Sequence, residues 1–533
     1  MEKSILKICM EKGFLLDKEM LEIFSEFEEE SAKEIIEKIS DLNIGERVIT
    51  KNLFSKNLSR IGSVLVDGKA RTVIEKFFVN VGYSKEVVDE GVEQGAVETA
   101  DVNGRGRVKI ISAPFIEARK VTVKDFVTHF RSRYDFMRKV LEGRGLENLT
   151  SLRKISGRGN YTIIVSVVEK RVTKNKNLIM TVEDLTGNSV VLVNQNRKEV
   201  FEIARELLLD DIVAMEVSGS DEMLFVNNIF FPDSVLQEKR RGAEDEWVAF
   251  TSDLHVGSEM FLEDNFLKFI KWLNGEWGDE KQREMAKKVK YLFFTGDNVD
   301  GVGVYPSQEK LLKIKEAKEQ YVKMVELLKL IRDDLKIIIC PGQHDAVWVG
   351  EPQPIIDDYW APGLHKMDNV TLVPNPSLVE IDSGFNILMY HGASMHSFVE
   401  NIPDIRLNYG HDSPARVVKE LLKRRHLAPM HGSVDYVPAD EDLMMIKRLP
   451  DIVATADWHR PEVSTYNNIL LVASACWQSI TPFEEKVGNH PDPCKVPLFN
   501  LKTREIKILD FSDGDNEECR EEGEEVSCEV KNG

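Results

Sequence analysis

Residues 291–300 read Tyr-Leu-Phe-Phe-Thr-Gly-Asp-Asn-Val-Asp, an apolar run followed at once by a glycine and two carboxylates. A short apolar run bounded by turn residues is typical of a buried strand. Runs of the same kind occur at Val248–Thr251, Lys336–Cys340, Asn386–Tyr390, Asp451–Ala454 and Asn468–Ala473. They alternate with amphipathic segments at 263–274, 309–334 and 412–424, which predict helices. Residues 246–510 are therefore predicted to form an α/β domain.

In chain order, the first five of these six predicted strands are each followed by residues of the types that commonly bind metals, aspartate and histidine. The five segments are Asp253-Leu-His255, Gly296-Asp297-Asn-Val-Asp300, Pro341-Gly-Gln343-His344-Asp345, Tyr390-His391-Gly392 and Thr455-Ala-Asp457-Trp-His459. The carboxyl ends of strands in an open α/β sheet border one crevice, where such sheets bind ligands. The sequence therefore predicts that these side chains meet.

Carboxylates and imidazoles together suit Mn²⁺, Zn²⁺ or Fe²⁺. Two such ions ~3.5–4 Å apart can hold a phosphate, generate hydroxide near neutral pH and stabilise a leaving oxygen. One carboxylate must then bridge the ions, and Asp297 lies in the central segment. Each segment alone is weak evidence for a metal site. DxH occurs by chance, GDxxD is commonly a turn that caps a helix, and a lone histidine is usually structural. Five in order, each directly after a strand, favour a two-metal hydrolase.

Composition and charge argue against several other classes of protein. The chain has 533 residues and a net charge of −20, from 70 basic and 90 acidic residues. A globally acidic chain argues against a general nucleic-acid coat, but leaves open a local basic groove or a basic partner. No apolar run reaches the ~18–20 residues of a membrane span, no signal peptide is visible, and the six cysteines are scattered. We expect a reduced, cytoplasmic protein without a membrane partner.

The remaining segments predict the domain order. We expect a helical N-terminal region over 1–80, a linker over 81–118, a leading helix and barrel over 119–240, and a disordered acidic tail over 511–533. The N-terminal region fits either a docking module or a solvated helical cap. Within 160–232 the order is three strands, a helix over 198–209 and two more strands, which is the order of an OB-fold.

OB-folds bind single strands or proteins, and the sequence leaves both open. The basic residues in this region are few. Lys170, Arg171, Lys174 and Lys176 cluster in one predicted loop and are weak candidates for nucleic-acid contact.

The order DxH, GDxxD, GxHD, HG and a terminal histidine pair resembles the calcineurin-like metallophosphoesterase superfamily. Within it, the chain is most similar to the small subunits of archaeal D-family DNA polymerases. Further segments that carry this resemblance are Phe130-Arg-Ser-Arg-Tyr134, Arg424-Arg-His-Leu-Ala-Pro429 and Trp477-Gln-Ser-Ile-Thr-Pro-Phe483. It covers about residues 120–510 and implies a metallophosphoesterase β-sandwich flanked by helices, preceded by an OB-fold barrel.

The resemblance also implies an activity and a partner. The activity is a 3′→5′ exonuclease that proofreads a DNA primer terminus, and the partner is a separate, larger polymerising subunit in a heterodimer or larger assembly. The implied cofactors are two divalent ions, Mn²⁺ in the first place, with Mg²⁺, Zn²⁺ or Fe²⁺ as alternatives.

Roles for single residues follow from the same resemblance. Asp253, His255 and His459 would hold one ion, and Asp297 would bridge both. His391 would hold the second ion, with Gln343 and Asp457. His344 would act on the scissile phosphate or protonate the leaving 3′-oxygen, Asp345 would orient His344, and Asp300 would support a ligand from behind. Trp477 and Gln478 are expected to pack and shape loops, with contact to a nucleic-acid base as the alternative.

The chain departs from the family pattern at two positions of the second ion. The family usually has asparagine where this chain has Gln343, and histidine where it has Asp457. Glutamine keeps the amide oxygen but adds a methylene, and aspartate replaces a neutral imidazole by an anion, which favours Mn²⁺ or Mg²⁺ over Zn²⁺. We therefore expect an intact first site and a weakened or retuned second one.

Two other functions remain open at this stage. The first is a catalytically weakened scaffold, as in the B-subunits of eukaryotic replicative polymerases, which share this architecture but have decayed metal motifs. Here both departures keep polar, ligating residues, whereas decay more often leaves apolar or small ones. The second is a free-standing phosphodiesterase or phosphatase, which would not need the helical region and the barrel.

Overall fold

The computed structural model of the chain describes residues 107–114 and 120–512, with residue 9 and the short segments 15–16, 48–49 and 97–99. Most of the predicted N-terminal helical region, and the predicted acidic tail beyond Ser512, lie outside these residues. Leu15–Leu16, which we expected to be helical, is a strand that pairs in parallel with Val48–Ile49. The chain divides into one compact unit of residues 1–112 and 379–382, and a second of residues 113–378 and 383–533.

The described strands, numbered in chain order, alternate with helices over the second half of the chain. The strands are β1 Leu15–Leu16, β2 Val48–Ile49, β3 Val97–Thr99, β4 Val108–Ser112, β5 Gly159–Val172, β6 Leu178–Asp184, β7 Gly187–Val193, β8 Ile212–Ser220, β9 Met223–Phe230, β10 Trp247–Thr251, β11 Val289–Thr295, β12 Lys336–Cys340, β13 Val370–Leu372, β14 Ser377–Ile381, β15 Asn386–Met389, β16 Ile452–Thr455, β17 Glu462–Tyr466, β18 Ile469–Ala473, β19 Lys495–Asn500 and β20 Ile506–Asp510.

The described α-helices lie on both sides of the barrel segment and between the later strands. They are α1 Val123–Glu142, α2 Lys198–Glu206, α3 Glu263–Leu273, α4 Glu280–Lys287, α5 Ala317–Leu328, α6 Met395–Asn401, α7 Pro403–Asn408, α8 Pro414–Arg424 and α9 Pro482–Val487. Among the residues that the structure describes, none of these helices has the length and apolar character that crossing a bilayer requires.

The described part of the first unit contradicts the expectation of a linker over 81–118. Strands β3 and β4 lie within this range and pair antiparallel, with Val97 opposite Ile110 and Thr99 opposite Val108. The Val108 side chain is fully buried. The β-branched residues of this valine- and isoleucine-rich stretch therefore form a hairpin in the midst of glycine and charged residues.

Five strands of the second unit form a closed barrel in the order β5-β6-β7-β9-β8. Helix α2 connects β7 to β8. Alternate residues of β5, such as Ile163, Val165 and Val167, are fully buried in the barrel core, as the period of a strand requires. The sequence predicted three strands, a helix and two more strands over 160–232, and this order along the chain is confirmed. The five strands close into a barrel.

Two sheets make up the rest of the second unit. One has the order β13-β12-β11-β10-β19-β20, in which β10 to β13 are parallel and β19 and β20 are antiparallel to their neighbours. The other contains β17-β18-β16-β15, with β15, β16 and β18 parallel. The α/β class expected for 246–510 is confirmed.

Each face of the first sheet has its own packing. Ala249, Leu292 and Phe294 point to a core shared with α3, α4 and α5. On the opposite face the rings of Phe250 and Phe293 stack at 5.5 Å, and Phe499 of β19 meets Phe385, just before β15, at 5.9 Å. The second sheet therefore packs on this face.

One predicted helix is much shorter than expected. The apolar pattern over 309–334 predicts a single helix, but α5 covers only Ala317–Leu328. The main-chain N–H groups of Lys313 and Ile314 donate to the carbonyl of Gly257, and Leu312 forms a bridge with Ser258. These contacts with the loop after β10 compete with helix formation at 311–316. The predicted helices at 263–274 and 412–424 are confirmed within two residues.

Helix α1 is fixed to the rest of the second unit by a buried ionic cluster around Asp442. The Asp442 carboxylate accepts from Arg133 and His129 of α1 and, at 2.9 Å, from His426 Nε2. The main-chain N–H of Ala428 donates to His426 Nδ1 at 2.9 Å, so that nitrogen cannot carry a proton. Burial, together with the charge of Arg133, lowers the pKa of His426 to about 4.

This cluster predicts a loss of stability in mild acid. The folded pKa of His426 lies below its unfolded value, so its full contribution is present above about pH 6.5 and is lost as the pH falls towards 4. We expect the folded state to lose about 2 kcal/mol from this group between pH 7.5 and pH 5. The free energy of unfolding is measured by urea titration at both pH values. Between pH 7.5 and pH 5 it should fall by about 2 kcal/mol less in a His426→Gln variant than in the wild type. Glutamine can make the same two hydrogen bonds but does not titrate. An equal pH dependence in both proteins would contradict the assignment.

Candidate metal centre

Five of the predicted site residues have left-handed backbone conformations directly after their strands. Their φ angles are 48° for Asp253, 50° for His255, 49° for Asp297, 69° for Asp457 and 57° for His459. This conformation costs a side-chain-bearing residue roughly 1–2 kcal/mol. It persists only where the surroundings fix it, and such positions concentrate at functional sites.

The first cluster consists of Asp253 and His255 after β10 and His459 after β16. His459 Nε2 lies 3.4 Å from Asp253 Oδ1 and 3.3 Å from His255 Nε2. Two donor atoms that bind one ion at about 2.1 Å lie roughly 3.0–3.4 Å apart. All three side chains are buried, and Asp253 Oδ1 has no hydrogen-bond partner among the described residues. The donor set and its spacing fit a divalent ion.

Both imidazoles of this cluster are oriented by a carboxylate on the far ring nitrogen. Asp300 Oδ1 lies 3.1 Å from His255 Nδ1, and Glu484 Oε1 lies 2.7 Å from His459 Nδ1. The Nε2 atoms are thereby left to face each other. This carboxylate–histidine arrangement is the usual support of a metal-binding imidazole. Asp300 was expected in this role, whereas Glu484 was missed.

Asp297 connects the first cluster to a second one. Its Oδ2 lies 3.2 Å from His391 Nε2 and 4.0 Å from His255 Nε2. Its Oδ1 accepts the main-chain N–H of His344 at 2.8 Å. Within the described residues, the groups that could hold an ion are the triads Asp253–His255–His459, His255–Asp297–His344 and Asp253–Asp297–His391. Asp297 belongs to two of the three, as a bridging position requires.

Two glycines allow this close approach. A Cβ at Gly296 would lie 2.3 Å from His391 Nδ1, and a Cβ at Gly342 would lie 2.2 Å from Asp297 Oδ1. The Gly296 φ of 92° is also one that side-chain-bearing residues rarely adopt. Both glycines follow a strand of the first sheet and keep the space beside Asp297 and His391 free for their side chains.

The remaining second-site candidates are arranged less tightly. His391 Nδ1 lies 2.7 Å from the Thr295 carbonyl, which directs its Nε2 towards Asp297. Gln343 Oε1 is buried and has no hydrogen-bond partner in the part of the chain that the structure describes. Asp457 Oδ1 lies 3.8 Å from His391 Nε2, while its Oδ2 lies 2.8 Å from Nε2 of His396, a residue that sequence analysis missed. Asp457 belongs to none of the three triads.

Charge accumulates in this site. Burial alone would lower the pKa of His255 and His391, but contacts with Asp300 and Asp297 outweigh it and raise both. Burial likewise opposes ionisation of Asp297, yet the neighbouring His391 and His344 hold its pKa well below the usual range. The buried carboxylates therefore favour positive charge at this place, and a divalent ion that displaces the imidazole protons would supply it.

His344 faces the same space from its edge. Its Nδ1 lies 2.8 Å from the carbonyl of Asp300, which acts as acceptor and leaves Nε2 free to hold or release a proton. Nε2 lies 4.0 Å from Asp297 Oδ2, and the side chain is 18% exposed. A substrate arriving from solvent could reach this nitrogen.

Among the described residues, the hydrogen bonds of the Asp345 carboxylate go to groups other than the His344 ring. The carboxylate accepts from the main-chain N–H groups of Gly342 and Asn298, and from the hydroxyl of Tyr321 at 2.8 Å. Burial and the charge of Asp297 raise its pKa to about 6. The role expected for Asp345, orienting His344, is performed in the structure by the Asp300 carbonyl, because the buried Asp345 binds the main chain of two loops.

Trp477 and Gln478 have the packing role that the sequence suggested. The Trp477 indole is 1% exposed and donates to Thr251 Oγ1 at 2.7 Å. Gln478 Nε2 donates to Ser258 and, at 3.2 Å, to Asp300 Oδ1. Both therefore support the loop after β10 and the carboxylate behind His255.

The basic group on the barrel does not form one loop. Lys170 and Arg171 lie in β5, while Lys174 and Lys176 lie in the turn before β6. Lys170 Nζ donates to the carbonyls of Arg205 and Leu207 at the end of α2, and burial lowers its pKa. Lys170 is thus a structural cap of α2, whereas the other three are exposed on the surface.

Comparisons with known proteins place the chain among polymerase subunits. The family model of the B-subunit of DNA polymerases alpha and epsilon matches residues 248–464. The chain is 36% identical to the DNA polymerase II small subunit of Methanothermobacter thermautotrophicus, over 73% of this chain and 80% of that protein. It is also 36% identical to the Archaeoglobus fulgidus protein of the same name, over 72% of this chain and 77% of that protein. For the Pyrococcus furiosus protein of that name the identity is 34%, over 74% and 64%.

Solved structures match only weakly. A novel archaeal phosphodiesterase matches with a TM-score of 0.25 and 15% identity, over 49% of this chain and 98% of that one. Vacuolar protein sorting 29 from Cryptosporidium parvum matches with a TM-score of 0.25 and 17% identity, over 51% and 94%. TM-scores of this size do not establish a shared fold.

Proposed function

The chain belongs to the family of archaeal DNA polymerase II small subunits, and we propose that it carries the 3′→5′ exonuclease of a D-family polymerase. The reaction would be two-metal hydrolysis of the terminal phosphodiester of a DNA primer. The single observation that carries this proposal is that three overlapping triads of imidazoles and carboxylates lie together in the described chain, and Asp297 belongs to two of them. A structural role alone would not require five strained residues and an unpartnered carboxylate oxygen in one described pocket.

Each residue then has a task. Asp253, His255 and His459 would hold the first ion, His391, Gln343 and Asp457 the second, and Asp297 both. The ions would polarise the phosphate and lower the pKa of bound water. Asp300 and Glu484 keep the first-site imidazoles in the tautomer that presents Nε2. His344 would hold a proton on Nε2 and transfer it to the leaving 3′-oxygen, while the Asp300 carbonyl fixes its ring.

The barrel and the two sheets support the rest of the proposal. The strand order β5-β6-β7-β9-β8, with a helix after the third strand along the chain, is consistent with an OB-fold, and the paired sheets are consistent with a metallophosphoesterase sandwich. We propose that the large polymerising subunit is the partner of this chain, because the relatives are named small subunits. The direction of degradation rests on the family resemblance.

A catalytically weakened scaffold is the second candidate. The observation that favours it is the departure at Gln343 and Asp457, the second of which belongs to none of the ligand triads in the described chain. The test is cleavage of a 3′-mismatched primer by the complex of the two subunits, after metal removal and during Mn²⁺ titration. Release of 3′-terminal nucleotides that depends on Mn²⁺ supports the exonuclease. No cleavage at any Mn²⁺ concentration, with polymerisation intact, supports the scaffold.

Glu484 provides a quantitative check on the first ion. Burial would raise the pKa of this carboxylate, but the hydrogen bond from His459 lowers it to about 2. Glu484→Gln removes the charge behind His459 and keeps a residue that can cap α9. We expect Mn²⁺ affinity at the first site to fall about 10–100-fold.

The matched control is Glu485→Gln, one residue along the same helix and exposed. Mn²⁺ titration followed by electron paramagnetic resonance measures both variants. Equal Mn²⁺ affinity in the two variants would show that Glu484 serves only the helix.

A further inference from the structure

We propose that His396 is a ligand of the second ion and supplies the imidazole that position 457 lacks. This inference rests on the proposed function for the presence of the ions. It adds a residue that neither the sequence motifs nor the ligand triads contain. It also reverses the expectation that the second site is weakened.

Contacts on both sides of Asp457 carry the inference. The carboxylate lies between two imidazoles, with Oδ1 3.8 Å from His391 Nε2 and Oδ2 2.8 Å from His396 Nε2. On its far side, His391 Nε2 lies 3.2 Å from Asp297 Oδ2. Asp297, His391, Asp457 and His396 therefore form a continuous series of donor groups with separations of 3.2, 3.8 and 2.8 Å, in which the two oxygens of Asp457 face different imidazoles. Because the four do not form one compact ligand group in the described chain, His396 would reach the ion by rotation of its ring.

The location of His396 fits such a role. It is the second residue of α6, in the segment that leaves β15 and carries His391 five positions earlier. Its side chain is 48% exposed, so the ring can adjust when an ion enters. The rings of Trp458 and His411 lie 5.7 Å and 5.3 Å from the His396 ring.

With His396 included, the two sites have matching donors. The first ion would have two carboxylates, Asp253 and Asp297, and two imidazoles, His255 and His459. The second would have the carboxylates of Asp297 and Asp457 and the imidazoles of His391 and His396. Gln343 then becomes a weak additional oxygen donor, and its extra methylene costs little. Matching donor sets predict two ions of similar affinity.

The test counts ions. The full-length chain is dialysed to equilibrium against Mn²⁺ at a concentration that saturates the wild type, and bound manganese is measured by mass spectrometry. We expect about two ions in the wild type and about one in His396→Ala. The matched control is His411→Ala, which removes the ring beside His396 and keeps the contact between His396 and Asp457; this variant should keep both ions. A His396→Ala variant that binds as much Mn²⁺ as the wild type would overturn the proposal.

A rescue variant excludes a loss caused by misfolding. Asp457→His introduced together with His396→Ala places an imidazole at the position where the family usually has one. This double variant should recover the second ion, and failure to recover it would count against a ligand role. One ion in the wild type would also overturn the inference.

The ion count is independent of nuclease activity. An inactive wild type that loses one of two ions on His396→Ala would refute the exonuclease and leave the ligand assignment in place. An active wild-type protein whose His396→Ala variant keeps both ions would support the exonuclease and refute the assignment of His396 as a ligand.

Discussion

Replacing His344 by alanine is expected to lower the rate of primer-terminus hydrolysis by about 10²–10⁴-fold. The reason is the free Nε2 at the edge of the metal centre, with Nδ1 fixed by the Asp300 carbonyl. Without this imidazole, water must protonate the leaving 3′-oxygen. Near neutral pH, water is a far weaker acid than an imidazolium. The bound ions should remain, because Asp253, Asp297, His391 and His459 form their triads without His344.

The measurement combines two readouts on one variant. Single-turnover cleavage of a 3′-mismatched primer reports the chemical step, and dialysis against Mn²⁺ reports the ions. His365→Ala is the matched control, since this exposed histidine bonds the Ile356 carbonyl and lies outside all three triads of the described chain. A His344→Ala variant that cleaves at the wild-type rate would remove the acid assignment. One that is inactive because it has lost an ion would make His344 a ligand through the triad with His255 and Asp297.

The sequence predicted that the Asp and His side chains after the strands meet, and the described chain brings most of them together, because the signal is local. Each ligand follows a short apolar strand, and parallel strands that share an edge bring such residues together whatever the rest of the fold does. Gln343 and Asp457 could be located in this way as well. The separation of Asp457 from the triads could not be predicted, since it depends on side-chain directions set by His396 and the loop after β15.

The residues that were missed act through contacts distant in sequence. Glu484 has a signal of its own, because Thr481 and Glu484 form a capping box at the start of α9. That motif predicts a helix start and gives no hint that the carboxylate also orients His459, 25 positions earlier. Lys170 shows the reverse case. It reads as one of four exposed basic residues, yet its ammonium is occupied by carbonyls at the end of α2.

The predicted helix over 309–334 failed for a similar reason. Leu311, Leu312 and Ile314 have helical spacing, and periodicity alone cannot weigh a competing partner. The Gly257 carbonyl accepts from both Lys313 and Ile314 and draws this segment onto the loop that carries His255. Tertiary contacts that build the site thus override local preference.

Arg424 is expected to be the most sensitive structural position of the described chain. It lies in α8 and is 3% exposed. Its guanidinium donates to Asp211 at the start of β8, to Glu420 of its own helix, and to the Glu206 carbonyl at the end of α2. One side chain thus joins the barrel to the helix that packs on β17 and β18. Arg424→Met should lower the free energy of unfolding by about 3–5 kcal/mol, because it leaves two buried carboxylates without their guanidinium.

Two further variants decide whether the loss comes from unpaired charge or from lost packing. Arg205→Met removes an exposed arginine of α2 whose ion pair with Glu202 should contribute less than about 1 kcal/mol. The triple variant Arg424→Met, Asp211→Leu, Glu420→Met replaces the whole buried group by apolar side chains. Its urea-unfolding free energy should return close to the wild-type value, since the stranded charges are gone. If the triple variant is as unstable as Arg424→Met, the arginine acts through its contacts with the Phe231 and Phe398 rings instead.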